Sequence, residues 1–198
     1  TNLVFQPLEA LLVLFVVTEI LDRPADAVGD LTTVGASVGI FYAINAAIGA
    51  IGASFAPRVS ARIPLGTMYV LGLFLVGGGF LALAIIGTFV AVIPAGLTFV
   101  GITWVNVSLT TMRQRLTPQE LLGRVIAASR TLAWLGLPVG AAIGGLIAGQ
   151  VGVVPVYVGG SLLVLGVAVF LLGTALVRDP VMADPRDDGN PLPAAEGI

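Results

Sequence analysis

The sequence predicts an all-α membrane protein of six transmembrane helices, and three observations carry that expectation. Of the 198 residues, 57% are hydrophobic and only 10% are charged, with a mean hydropathy of +1.05; soluble domains average about 25% charged residues. Residues 31–177 hold seven of the twenty charges and the last 21 residues hold seven more, so a long charge-poor body carries a short polar tail. Fifty residues without a charge separate Arg62 from Arg113, and forty-seven separate Arg130 from Arg178. As one helix, either run would be roughly 70 Å long against a hydrocarbon core of about 30 Å, so each has to fold into two spans.

Taken in order, the spans fall near 3–21, 31–56, 65–86, 91–112, 118–149 and 156–177. The second is long for a single crossing, and its first residues also fit a loop. The break between the third and fourth runs from Gly87-Thr88 to Pro94, and that between the fifth and sixth from Gln150 to Pro155. The fifth starts at Thr117-Pro118-Gln119-Glu120. There Thr117 is expected to cap, Pro118 to supply a preset φ, and Glu120 to reach back to the cap amide. Pro138 inside the fifth span removes one backbone hydrogen bond and predicts a bend. Residues 178–198, rich in Pro, Gly and acids, read as a disordered cytoplasmic tail.

Arginine sets the orientation. Residues 57–64, 113–130 and the tail carry eight Arg, whereas the loops on the other side carry only Arg23. The positive-inside rule then puts both termini of a multi-pass protein in the cytoplasm. No basic flank or small-residue cleavage site marks a signal peptide, and the absent initiator Met suggests that the chain continues something longer.

Composition also excludes functions. The net charge of −2 divides into +1 for residues 1–177 and −3 for the tail, which is no surface for nucleic acid. Without Cys or His there is no thiol nucleophile, imidazole base or zinc site, and no metal or cofactor is expected. No mid-span acid pair or Ser/His/Asp set suggests an intramembrane enzyme.

The candidate functional residues are polar or small groups inside spans. Phe99, Thr103, Asn106 and Thr110 follow spacings of four, three and four and so share one helical face, which Trp104, Ser108 and Thr111 are expected to widen. An Asn within a span is costly unless it bonds another helix or meets water, so the face reads either as an interhelical hydrogen-bond stripe or as a wall of a polar substrate cavity. Asn45 in the second span reads as structural. Glu9 is the one carboxylate within the first span; counted from Leu3 it lies only about 9 Å inside the cytoplasmic end. It reads as interfacial or, if the helix starts further upstream, as a deeper group able to carry a proton. Gly35 and Gly39, followed by Ala43, Ala46, Gly49 and Ala53, line the second span, and Gly136, Gly140 and Gly144 line the fifth. In lipid, such rows bring backbones together, either within one bundle or in a sliding contact between two. Arg124, near the start of the fifth span, reads as a contact for lipid phosphates or as part of a conformational latch.

These residues resemble the C-terminal half of a major facilitator superfamily transporter, and most of all the branch of macrolide and enterobactin exporters. Gln114, Pro118 and Gly123-Arg124-Val125, followed by Pro138-Val139-Gly140, match what that branch carries before its eleventh helix. The stretch from Gly39 to Arg58 resembles its eighth helix and a degenerate cytoplasmic loop motif, of which Gly52, Arg58 and Arg62 remain while the usual acid is absent. The resemblance covers about residues 1–178 and implies one half of a major-facilitator-type fold. In it the first and fourth spans line a cavity, the second and fifth face the other half, and the third and sixth are peripheral. It implies export of small amphipathic organic compounds by alternating access, coupled to an ion, from the plasma membrane. The implied partners are the lipid bilayer, a small-molecule substrate and an N-terminal six-helix half, in the same chain or a second subunit. A structural or assembly membrane protein, and an ABC-type permease domain using 113–130 to meet an ATPase, are the rival readings.

Overall fold

The structure, a computed structural model, describes residues 8, 9, 11–23 and 34–174, which are helical almost throughout. α1 comprises Leu12–Phe15 and continues as a π-helical stretch, Val16–Ile20. There the Thr18 hydroxyl donates to the Leu14 carbonyl at 2.9 Å, and the amide of Leu21 reaches five residues back to Val16. Then follow α2 (Gly35–Ser60), α3 (Leu65–Ile86), a 3-10 turn (Phe89–Ala91), α4 (Val92–Leu116), α5 (Gln119–Val151) and α6 (Val153–Leu172). Five helices among the described residues, α2 to α6, are long and apolar enough to cross a membrane, with mean hydropathies of 1.7 to 2.4. The expected start of the first span, the loop over 24–30 and the tail over 178–198 lie outside the described residues.

The turns follow from Gly at one end of the bundle and Pro at the other. α3 stops at Gly87, whose φ of +55° is left-handed, and α5 joins α6 through Gly152 alone, at φ +88°. A side chain disfavours both conformations, so glycine is what permits these tight reversals. At the opposite end, Pro64 and Pro118 sit extended before α3 and α5, and their carbonyls accept the first helical amides, from Met68 and from Leu121 and Leu122. Pro118 is therefore the cap itself rather than the first helical residue, and no side chain bonds at that cap. The capping box expected of Thr117 and Glu120 does not form, because the turn is made one residue later. Pro94 and Pro155 fall in the first turns of α4 and α6, where a missing N–H costs nothing.

α3 packs along α4 and along α6, α4 packs along α2, and α1 touches α6. Glycine makes the central seams close. A Cβ on Gly72 of α3 would stand 2.9 Å from the Gly101 carbonyl oxygen of α4, and one on Gly101 would stand 2.8 Å from the Leu75 Cβ. On the other side of α3, a Cβ on Gly77 would meet Leu165 of α6 at 2.8 Å. Trp104 of α4 donates its indole N–H to the Gly52 carbonyl of α2 at 3.3 Å. Thirteen of the 22 residues of α3 are buried, and it stands between two seams.

α5 differs from the rest. Gly136, Gly140 and Gly144 are buried, while most of its other side chains are exposed, including Leu132, Trp134, Val139 and Leu146. Its 33 residues against the 20 of α6 mean that it overshoots its neighbour by roughly 20 Å, at about 1.5 Å per residue. Large apolar side chains also face outward on α6, where Phe170 is 73% and Leu163 63% exposed. In water such surface would drive aggregation; against lipid it is at its natural depth.

Candidate functional site: the polar face of α4

The face expected on the fourth span divides by depth. Phe99 and Thr103 are half-buried, and the Thr103 hydroxyl donates to the Phe99 carbonyl at 2.9 Å. Asn106 and Thr110 are exposed, as is Gln114 one turn further on. Asn106 lies roughly 21 Å from the start of α4 and about 10 Å before Arg113, so this exposure is at membrane depth. Trp104, Ser108 and Thr111 do not widen the face. At 100° per residue they stand about 140° to 160° away from Asn106, and Ser108 is buried inside the bundle with its hydroxyl unpartnered. The two sets had been combined by residue type, whereas the helix separates them.

An amide exposed to hydrocarbon satisfies none of its four hydrogen-bonding positions, and polar groups within spans almost always face a bundle interior or water. Among the described residues Asn106 is bonded to no other helix. Asn45 contrasts with it. That side chain is fully buried on α2, donates to the Phe41 carbonyl at 2.7 Å, and leaves its amide oxygen without a partner.

Glu9 lies far from the place counted for it. Leu8 fills the space beside Gly160, whose Cβ would come 2.7 Å from it, and the Leu8 carbonyl accepts the Tyr157 hydroxyl. The register runs on through α6 and α3: Ser161 and Leu165 lie across from Gly77, and Gly79 lies across from Pro94 and Thr98. Glu9 is therefore level with the first turns of α4, roughly 18 Å along the bundle from Asn106 and toward the end formed by Gly87 and Gly152. The expectation of a group just inside the opposite, Arg-rich end is corrected; it had counted from Leu3, whereas the contact with α6 fixes the depth. Glu9 itself is exposed.

The glycine rows also separate. Gly39 is exposed with nothing near it, and Gly35 is half-buried; exposed Ala43, Ala46, Ala50 and Ser54 continue that side of α2. Gly136, Gly140 and Gly144 are buried. The exposed small residues of α5 are instead Gly145 and Gly149, with no atom within 4 Å of a Cβ on either.

Several residues expected in cytoplasmic loops are helical. Gly52 lies two turns inside α2, buried against Val100 and bonded by Trp104, so it is a packing residue. Arg58, exposed on the last turn of α2, sits 5.9 Å from the Phe55 ring centre, and Arg62 is exposed in the following turn. Gln114 is on α4, while Gly123 and Arg124 are exposed on α5. Only Thr117 and Pro118 separate these two helices. The close seam of Gly72 with Gly101 was missed, although glycines recurring in both apolar runs were its signal. Among the described residues no group of three or more His, Cys, Asp or Glu side chains comes together to hold a metal.

Long apolar helices, outward-facing aliphatic side chains and glycine seams between spans define the class: the chain is a multi-pass, all-α membrane protein. Comparison with protein-family models, with curated proteins and with solved structures finds no match.

Proposed function

We propose that the chain is one half of a secondary active transporter of the plasma membrane, with both termini cytoplasmic. It exports small amphipathic organic compounds by alternating access, and a second six-helix bundle completes it. The observation that carries this reading is the exposed row of Asn106 and Thr110 at membrane depth, continued by half-buried Thr103 and Phe99. A path for drug-like compounds needs apolar and aromatic surface with a few polar groups to orient the ligand, and this row supplies both. The Arg distribution supports the orientation. The permease reading has less to stand on, because 113–130 forms the continuous ends of α4 and α5 and leaves no separate helix for an ATPase.

The test is transport by the full-length protein in proteoliposomes under a proton or sodium gradient, with Nile red as a neutral amphipathic probe and tetraphenylphosphonium as a charged one. Gradient-driven movement of at least one probe is expected, with Asn106→Leu changing the ratio of the two by threefold or more. Movement of neither would return the chain to the structural or assembly reading.

A further inference from the structure

We propose that the cleft at Arg130, Thr131, Trp134 and Leu135 of α5 holds one acidic phospholipid whose head group carries a hydroxyl, such as phosphatidylglycerol, in the leaflet at the Arg-rich end. This rests on the membrane class alone and not on the transporter reading. The cleft has a volume of about 400 Å³, within the roughly 300–1,000 Å³ of small-molecule sites. Its depth points to lipid. Counted along α5 from Gly152, Trp134 lies roughly 27 Å and Arg130 roughly 33 Å away, against a hydrocarbon core of about 30 Å. α6 leaves the same reversal and ends after 20 residues, so it stops at the same level. The single helical turn from Trp134 to Arg130 thus crosses from the acyl chains to the phosphates.

The four side chains meet different parts of such a molecule. Arg130 is exposed, and among the described residues no carboxylate pairs with it. A guanidinium stays charged at any pH a membrane meets, and its fork fits phosphate oxygens in pairs. One turn deeper, Trp134 is 69% and Leu135 58% exposed. An indole at this depth sits with its ring among acyl chains and its N–H toward the glycerol esters. The Thr131 hydroxyl donates to the Ala127 carbonyl at 3.0 Å. Its proton is therefore committed, and its oxygen is left as an acceptor. An ionised phosphate has no proton to give that oxygen, whereas a head-group hydroxyl has. The ammonium of phosphatidylethanolamine could donate too, but it brings a positive charge beside Arg130. Charge and hydrogen bonding together select an acidic, hydroxyl-bearing head group.

Displacement of a quenching lipid tests this. The full-length protein is placed in vesicles of acyl-brominated phosphatidylcholine, and unbrominated phosphatidylglycerol is exchanged in. Subtracting the Trp134→Phe counterpart, which keeps every other tryptophan, isolates the emission of Trp134. Its recovery should show phosphatidylglycerol bound at least about fivefold more tightly than phosphatidylcholine, the discrimination expected of one Arg near anionic head groups. Arg130→Gln should bring that ratio within twofold of one. Arg113→Gln, which removes a charge at the same end but outside the cleft, should leave it unchanged. Phosphatidylmethanol, equally anionic but without a head-group hydroxyl, should bind about threefold less tightly than phosphatidylglycerol, and Thr131→Val should erase that difference. A parent ratio within twofold of one would overturn the proposal and leave the cleft to bulk lipid or to a protein partner. Equal losses in Arg113→Gln and Arg130→Gln would overturn it in favour of general surface charge, and equal binding of phosphatidylmethanol would overturn the head group. Should Arg130→Gln fail to fold, the two ratios measured on the parent decide.

Discussion

Gly72 and Gly78 lie on one helix, and the same substitution at each should have opposite outcomes. Alanine at Gly72 places a Cβ 2.9 Å from both the Gly101 oxygen and the Val105 Cγ2, and 3.1 Å from the Val105 amide nitrogen. Two of these atoms are α4 backbone, which moves only if the helices part. Opening a seam by 0.5–1 Å forfeits about a quarter to a half of each dispersion contact along it, and overpacking of this kind costs roughly 1–3 kcal/mol. Alanine at Gly78 meets nothing within 4 Å. Replacing Gly by Ala within a helix favours both variants by up to about 1 kcal/mol. That gain cancels between them, so Gly72→Ala should be about 1–3 kcal/mol less stable than Gly78→Ala. Unfolding in mixed micelles by increasing dodecyl sulfate, followed by Trp104 and Trp134 fluorescence, measures the difference. Equal stability to within about 0.5 kcal/mol would refute a backbone-close α3–α4 seam.

Two further outcomes follow from the same physics. Leucine at Gly140 should destabilise the bundle, since that position is buried, while leucine at Gly145, with open space around it, should leave dodecyl sulfate unfolding within about 0.5 kcal/mol of the parent. Because the chain has no Cys, single-cysteine labelling of intact cells is clean: a membrane-impermeant maleimide should reach Ala25→Cys and fail to reach Ser60→Cys, and the reverse pattern would invert the topology.

Much of the layout was legible because glycine, proline and charge mark the ends of apolar runs. The third span was bounded at 65–86, where α3 lies, and Gly87 and Gly152 fall within the expected breaks. What sequence could not supply was which side of a helix meets which neighbour. Gly136, Gly140 and Gly144 signal a close approach equally well toward an internal helix or an external one, and the fold adds that the three are buried. Glu9 was misplaced for a related reason. Depth along a span depends on contacts such as Leu8 with Gly160, and counting from the first apolar residue ignores them. On α4 the spacing from Phe99 to Thr110 was informative, whereas adding Trp104 and Ser108 because they are polar set aside the angle at which they leave the helix. Gly52 shows the same limit, since a glycine near the end of an apolar run suits a loop motif and a helix seam alike.

The central claim is that the Asn106 side of α4 faces water at membrane depth, and reaction with a water-soluble thiol reagent tests it most directly. In the full-length protein in membranes, Asn106→Cys and Thr110→Cys should react with a positively charged methanethiosulfonate at least tenfold faster than Val105→Cys, which replaces a buried residue on the bundle side. Nile red or tetraphenylphosphonium should slow the reaction at 106 and 110. Rates at 106 and 110 as low as at 105, with and without the probes, would mean that the row is packed against protein or lipid and would contradict the account.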